Sequence, residues 1–432
     1  MTCLLPFTLC AFRAWCRLRE WNDIVRPALP LIDLRLYEVE EHISHSLCLS
    51  KGRLLPGTKA ALIDRALKLS GSSKSIPRVT INFQGAGAEG TVESTFEQLF
   101  ESLYSKHPLT NTNTEEGEGQ LWEVRMTGDG ATAFTDTTDI GGHFRTSLRK
   151  MCADLQSPPG PLPNGKTSVP LFVLTPNFVR GVGDGNDAAE NFLPNPECTA
   201  EPDLERYRFV GTLCGAAARF TAFMELDLPS LCWKSILGQA ADTHELRTVD
   251  TKTAAHLESV RAVEDEATWQ LRQESEPVRW CVRLVSNKGQ ALRGDGTALV
   301  AFSEKEEYAA LAEKKWLAQF EPQLKAMQAG FYAVFPELGA RLLTWRELER
   351  RKAHSFDVDI PAHLLADCVV WSGVCGLPDV DVSQLQRIAK YEGSYTKDDA
   401  YIKQFWKVLR ELTGQERKQL LGFVRILSTQ SR

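Results

Sequence analysis

The sequence predicts an α+β fold in which helices dominate. Three observations support this. Apolar residues recur at helical spacing over residues 204–224, 303–335 and from 403 onward. Short runs that alternate apolar and polar residues, such as 121–126, are typical of half-buried strands. No internal repeat is visible, so a stack of repeated units is not expected.

The composition is that of a globular protein, with 43% apolar and 25% charged residues over 432 positions. This length fits roughly two or three domains. The net charge of -6 argues against a nucleic-acid partner, because binding to phosphate backbones needs clustered Lys and Arg. No window reaches the ~18 continuous apolar residues of a membrane span, so no membrane partner is expected.

The 11 cysteines are scattered, without a C-x-x-C pair or a His cluster at zinc-ligand spacing. We expect reduced, mostly buried thiols and neither a metal nor another cofactor. The apolar residues 3–12 lack a positively charged leading region and meet Arg13 at once, which argues against a secretory signal. The expected location is the cytoplasm, with the nucleus as an alternative.

The first third of the chain predicts amphipathic helices and one strand. Residues 1–75 form an amino-terminal extension to which no role is assigned, with a helical pattern at 54–69. A strand is predicted at 78–83, followed by a Gly-rich turn and a helix. The apolar face of that helix consists of Phe96, Leu99, Phe100 and Leu103.

The middle of the chain alternates strands, loops and one long helix. A polar loop at 111–120 precedes the strand at 121–126, and prolines prevent regular structure at 157–165. A strand follows at 169–174. In the long helix at 204–224, small residues would let another element pack closely.

The last part of the chain predicts a mixed region and then long helices. Residues 256–300 alternate short strand patterns with polar turns. The helical stretch from 303 to 335 is expected to break at Pro322, because proline removes a backbone donor. Four aromatic residues are expected in the core: Trp122, Trp233, Phe331 and Trp345.

The segment Gly85–Gly90 fits the pattern G-x-G-x-x-G between a strand and a helix, as a dinucleotide-binding fold requires. Such a fold also needs a second parallel strand directly after the helix, whereas the chain enters the polar residues 110–116. We therefore favour a flexible turn over a nucleotide site.

A second motif lies at residues 138–145. Its adjacent glycines suit a tight turn that brings Asp139 and Arg145 together as a structural ion pair. His143 has no partnered nucleophile in the sequence, so an ordinary loop histidine is the simpler interpretation.

Eight segments, each ordinary core or turn chemistry alone, occur in a specific order and spacing over about residues 78–425. In that order they resemble the HECT family of ubiquitin ligases. The segments are 138–145, 169–177, 207–219, 330–335, 343–349, 374–381, 391–395 and 401–409.

The resemblance implies a division of the chain into lobes. Residues 76–391 would form the mostly helical amino-terminal lobe, in which a small mixed subdomain at 256–321 docks a ubiquitin-conjugating enzyme. Residues 392–397 would form the hinge, with Gly393 supplying backbone freedom. Residues 398–432 would begin an incomplete, truncated catalytic carboxy-terminal lobe.

The resemblance also implies a ubiquitin-protein transferase. Such an enzyme accepts ubiquitin from the conjugating enzyme as a cysteine thioester and passes it to a lysine of a protein substrate, here unidentified. In the family the thioester cysteine lies several dozen positions beyond the aromatic helix, and no cysteine follows Cys375 here. The expectation is therefore that this cysteine lies beyond Arg432 and that these residues alone are inactive. The alternative is a catalytically inactive module that binds a conjugating enzyme or a substrate.

The family docks the conjugating enzyme in an apolar groove. At the matching positions, Leu271 and Tyr308 keep apolar or aromatic character, whereas Ala267 and Ala312 are smaller than the family's usual residues. The alternative for Tyr308 is that it packs in the helix core, because aromatic residues at helical spacing are usually buried.

Overall fold

The computed structural model of the chain confirms a mostly helical α+β fold. The residues that it describes are 5–70, 77–82, 94–106, 122–127, 142–156, 170–181, 192–220, 224, 226–241, 243–351, 386 and 399–411.

The described α-helices are α1 (Leu5–Ala28), α2 (Ile43–Leu49), α3 (Pro56–Leu69), α4 (Thr95–Phe100), α5 (Gly142–Gln156), α6 (Pro176–Val179), α7 (Glu201–Phe220), α8 (Ser230–Ile236), α9 (Thr243–Val249), α10 (Thr251–Arg261), α11 (Glu266–Ser275), α12 (Lys305–Ala318), α13 (Glu321–Val334), α14 (Glu337–Leu342), α15 (Trp345–Arg351) and α16 (Ala400–Glu411). The strands are β1 (Arg78–Asn82), β2 (Glu123–Thr127), β3 (Phe172–Leu174), β4 (Phe192–Pro194), β5 (Cys281–Arg283) and β6 (Gly289–Ala291). Short 3-10 helices lie at Leu29–Leu31, Leu34–Leu36, Lys51–Arg53 and Phe302–Glu304.

The strands pair in small two-stranded sheets. β3 pairs with β4 and β5 with β6, both antiparallel. β1 and β2 pair in parallel, with Arg78 opposite Glu123 at one end of the register and Asn82 opposite Thr127 at the other. Helix α4 lies between these two strands in the chain and packs against β1.

This parallel pair corrects the sequence prediction. The polar stretch after α4 argued against a second parallel strand, yet the chain returns to the sheet as β2 beyond that stretch. A parallel crossover needs no short connection, because a dozen or more residues can join its two strands. The glycine motif at 85–90 lies outside the described residues, so its interpretation as a turn stays a prediction.

The core centres on the crossing of α7 and α13, where small residues allow the two backbones to meet. A Cβ atom at Gly330 would lie only 1.7 Å from the Arg208 carbonyl oxygen. A Cβ atom at Gly211 would lie 1.9 Å from the Met327 carbonyl oxygen. The close packing predicted for the long helix is therefore confirmed.

Of the four aromatic residues expected in the core, Trp122, Trp233 and Phe331 are fully buried. Trp345 differs: its ring is half-buried, and the Arg346 guanidinium lies 5.1 Å from the ring centroid. The break near Pro322 is confirmed, because α12 ends at Ala318 and α13 begins at Glu321 with proline in its first turn.

Residues 256–275 belong mostly to the helices α10 and α11, where the sequence predicted short strands and turns. Each helix begins at an aspartate cap: the Asp250 side chain accepts a hydrogen bond from the Thr253 N–H, and Asp265 accepts one from Thr268. Both helices have few apolar residues, so their periodicity is weak. The cap residues were the available signal, and periodicity alone missed it.

The turn predicted around residues 141–145 is instead the first turn of α5, which begins at Gly142. Asp139 lies outside the described residues, and its ion pair with Arg145 stays a prediction. Of the described cysteines, Cys152, Cys198, Cys214 and Cys232 are buried, and none forms a disulfide. No described helix combines the length and apolar character that crossing a membrane demands.

Candidate functional site

The region predicted to dock a protein partner, residues 256–321, contains most of α10, then α11, the β5–β6 hairpin and α12; these four elements are called the small subdomain below. The ammonium group of Lys305, at the start of α12, donates hydrogen bonds to the carbonyl oxygens of Arg261 (2.8 Å) and Val263. These carbonyls lie at the end of α10, where helices leave acceptors unpaired and a cation is favoured. Lys305 thereby joins α12 to α10.

Helix α11 is fixed to the segment that follows the hairpin. The buried Trp269 indole donates to the Val300 carbonyl oxygen at 3.1 Å. The Gln273 amide donates to the same oxygen at 2.9 Å and accepts from the Val278 N–H at 2.8 Å. One face of α11 is thus held rigidly, which leaves the opposite face to solvent.

Leu271 lies on that outer face. Its side chain is 67% exposed, one of the largest apolar exposures in the described chain. Ala267, one helical turn earlier, is also exposed, so the two predicted groove positions on α11 lie on the same side of the helix. An exposed leucine on a well-anchored helix costs little to desolvate and can contact a partner directly.

Tyr308 lies in the core of the subdomain and is only 3% exposed. Its ring packs edge-on against Trp280 with 6.0 Å between centroids, and its hydroxyl donates to the Cys281 carbonyl oxygen at 3.3 Å. Burial raises the pKa of Tyr308 to about 12, so the phenol stays protonated at neutral pH. Ala312 is buried as well. This geometry matches the core-packing alternative for Tyr308 and places it behind, not on, the exposed face.

A charged cluster covers the other end of the hairpin. The Arg293 guanidinium stacks 4.0 Å from the Trp280 ring centroid and contacts the carboxylates of Glu304 (2.7 Å) and Glu307 (2.6 Å). All three charged side chains are partly exposed, so solvent screens their attraction. The stacking of Arg293 shields Trp280, which in turn packs on Tyr308.

The junction between α9 and α10 joins the subdomain to the rest of the protein, and α6 contacts this corner. The Asn177 amide donates to the carbonyl oxygens of Arg247 (3.2 Å) and Thr248 (2.9 Å), and its oxygen accepts from the Thr251 N–H at 2.7 Å. Arg180 contacts the Asp250 carboxylate at 2.5 Å. No role was predicted for Asn177, which ends the segment 169–177, or for Arg180, because their partners lie about 70 residues away.

The hinge residues 392–397, including Gly393, lie outside the described residues, as does Cys375. Within the described part of the chain, no group of three or more His, Cys, Asp or Glu side chains could hold a metal ion.

Comparison with known proteins identifies the family. Residues 168–428 match the model of the HECT-domain (ubiquitin-transferase) family, which is more than half of the chain. The chain belongs to the HECT family. Ubiquitin ligases of this family work with ubiquitin-conjugating enzymes and ubiquitin.

Named relatives of this HECT chain are E3 ubiquitin-protein ligases. It is 27% identical over 340 residues to HERC2 of Mus musculus, which covers 78% of this chain and 6% of the relative. It is 23% identical over 435 residues to the probable E3 ubiquitin-protein ligase HECTD4 of Homo sapiens, covering 94% of this chain and 10% of that protein. It is 27% identical over 240 residues to HACE1 of Bos taurus, covering 54% of this chain and 23% of that protein. The chain therefore spans less than a quarter of each of these relatives.

Proposed function

We propose that this HECT chain takes part in ubiquitin transfer by docking a ubiquitin-conjugating enzyme on the outer face of α11. The observation that carries the proposal is the 67% exposure of Leu271 on a helix whose opposite face is anchored by Trp269 and Gln273. Family membership indicates the class of partner, and the exposed Leu271 is the residue proposed to contact it.

The docking proposal is tested by the substitution Leu271→Ala. Loss of a central apolar contact should weaken binding of the ubiquitin-conjugating enzyme by about 1 kcal/mol or more, roughly fivefold. The melting temperature should stay unchanged, because the side chain already lies in solvent. Titration calorimetry gives the affinity, and thermal unfolding gives the melting temperature.

Leu69→Ala is the matched control, since Leu69 is a similarly exposed leucine on α3, outside the subdomain. It should change neither quantity. Equal affinity for wild type and Leu271→Ala would place the docking surface elsewhere on the lobe.

The proposed reaction of the whole enzyme is thioester transfer, in which a cysteine accepts ubiquitin before a substrate lysine does. The proposal assigns that role to no cysteine in these 432 residues, because none follows Cys375. It assigns the hinge to residues 392–397, with Gly393 as the flexible position. We expect ubiquitin-charged conjugating enzyme to give no adduct on this chain that a thiol reagent cleaves.

The second candidate is a binding module that docks the conjugating enzyme or a substrate without accepting ubiquitin itself. The same absence of a cysteine after Cys375 favours it for these residues. A thiol-sensitive adduct that disappears on substitution of one cysteine would exclude the module and identify the acceptor.

A further inference from the structure

Helix α6 and the residue that follows it, Arg180, supply two side chains to the corner at which the small subdomain leaves the lobe. The three hydrogen bonds of Asn177 contact both sides of the corner, two on the last turn of α9 and one on the first residue of α10. A single amide therefore contacts two consecutive helices.

The ion pair beside it acts on the residue between those helices. The Asp250 carboxylate is almost completely buried and caps α10 through Thr253, with 3.2 Å to the backbone nitrogen and 2.7 Å to the hydroxyl. Arg180 adds its charge at 2.5 Å from the same carboxylate oxygen that accepts from the Thr253 backbone. A buried carboxylate needs such partners, so Arg180 favours this one position of the corner.

Other polar contacts also hold the subdomain, and one of them spans the same corner: Arg247 on α9 contacts the Glu258 carboxylate on α10 at 3.0 Å, with both side chains exposed. Lys288 of the hairpin loop contacts Glu197 at 2.5 Å, but both side chains are exposed and solvent screens them. At the exit of α12, the Gln319 amide oxygen accepts from the Val285 N–H at 3.1 Å. The two exposed ion pairs are weak, and the Gln319 hydrogen bond lies within the subdomain, so none of these three contacts is expected to fix the α9–α10 corner.

We propose that Asn177 and Arg180 are positioning residues that set the orientation of the small subdomain relative to the rest of the lobe. Any partner docked on α11 is then oriented by two residues outside the docking surface. The consequence for ubiquitin transfer rests on the proposed function, whereas the orientation itself does not.

The test measures orientation directly. One fluorophore is attached at Glu274 on α11 and another at Lys68 on α3, both exposed positions, through unnatural amino acids in the full chain. Wild type should give one narrow distribution of the efficiency of fluorescence resonance energy transfer between the two fluorophores. Asn177→Ala should shift the mean or broaden the distribution at least twofold, and Arg180→Met should act in the same direction.

The chain offers a matched control in Asn22. Its amide donates to the carbonyl oxygens of Leu18 (2.7 Å) and Arg53 (3.1 Å), and its oxygen accepts from the Leu55 N–H at 2.8 Å. This pattern repeats the three bonds of Asn177 far from the corner. Asn22→Ala should lower the melting temperature and leave the distribution as in wild type.

The proposal is overturned if Asn177→Ala leaves the distribution unchanged, or if Asn22→Ala broadens it equally. If Asn177→Ala does not fold, Arg180→Met decides by the same criterion. Affinity for the conjugating enzyme should stay within twofold of wild type in the Asn177 and Arg180 variants, because Leu271 is untouched. If wild type binds no conjugating enzyme, the docking function fails while the orientation result stands.

Discussion

Tyr308 shows how far residue chemistry alone can identify a contact. Its aromatic character and its place in the sequence fit a groove residue and a core residue equally well, since both need a large apolar side chain. The neighbours decide between them: Trp280 and Cys281 lie on another element, Cys281 being 27 residues from Tyr308, so helical spacing in α12 does not report these contacts. The sequence identified Leu271 only as an apolar residue. Its exposure follows from the anchoring of the opposite face of α11.

We expect Tyr308→Ala to destabilise the protein by about 3 to 5 kcal/mol, as for other large buried aromatic residues. Tyr308→Phe keeps the packing and loses only the hydrogen bond to Cys281, so it should cost about 1 kcal/mol. Chemical denaturation measures both. A negligible effect of the alanine variant on unfolding would show that the ring lies at the surface.

His256 provides a pH test. Burial, and then the nearby positive charge of Arg272, lower the pKa of His256 below its ordinary value of 6.5, while Glu276 opposes the shift. The unfolded chain therefore takes up this proton at a higher pH than the folded chain does, so stability is lost as pH falls below about 6.5.

His256→Gln should remove this contribution, so its free energy of unfolding should fall less than that of wild type between pH 7.5 and pH 5.5. Urea titrations at both pH values give the change in the free energy of unfolding for the wild type and for the variant. An identical pH dependence in the variant would mean that His256 ionises equally easily in both states.

At the scale of elements, the crossing of α7 and α13 depends on glycine. Because a Cβ atom at Gly330 would overlap the backbone of α7, Gly330→Ala must separate the helices. We expect a loss of about 3 kcal/mol or more, at or above the upper range for overpacked cores. Thermal and urea unfolding of the variant measure it.

Gly57 in α3 is the matched control, since nothing lies within 4 Å of its added Cβ atom. Gly57→Ala should leave stability unchanged or raise it by up to about 1 kcal/mol, through helix propensity. If the two alanine variants were equally stable, the helices would not meet at Gly330.

Elements with strong periodicity were predictable, and those with weak periodicity were not. Helices α7 and α13 carry regular apolar faces, and their small residues indicated the close contact that the structure shows. Helices α10 and α11 are mostly polar, and they form because aspartate caps and tertiary contacts such as Trp269 with Val300 stabilise them. Pairing of β1 with β2 depends on a long-range contact that no local pattern reports.

At the scale of the whole molecule, the amino-terminal region is part of the lobe's packing. The Lys59 ammonium group on α3 contacts the Glu347 carboxylate on α15 at 2.7 Å and 2.8 Å. Tyr37 lies under the Arg341 guanidinium at 4.4 Å, next to α14. The sequence assigned no role to residues 1–75, because these partners are nearly 300 residues distant.

The Lys59–Glu347 pair predicts an asymmetric response to substitution. The Lys59 side chain is 5% exposed and that of Glu347 is 33% exposed, so Glu347→Gln leaves a buried cation unpaired while Lys59→Met leaves a partly hydrated anion. We expect Glu347→Gln to cost on the order of 3 kcal/mol and Lys59→Met clearly less.

The double variant should be more stable than Glu347→Gln alone, because it removes the unpaired cation. Denaturant unfolding of the wild type, the two single variants and the double variant gives the double-mutant cycle. Equal costs for the two single variants would contradict the burial difference.

The α7–α13 crossing also bears on the order in which parts of the chain fold. Arg219 at the end of α7 donates to the carbonyl oxygen of Val334, which is 115 residues later. During synthesis α7 emerges long before α13 and has no partner for its glycine-lined face. The small subdomain is made of neighbouring segments between α7 and α13, so it can form first. Its formation brings the end of α7 and the start of α13 closer together, which shortens the loop that the crossing must close. Substitutions that destabilise the small subdomain should therefore also slow the closure of the α7–α13 crossing, because the loop between the two helices would then be longer and less ordered.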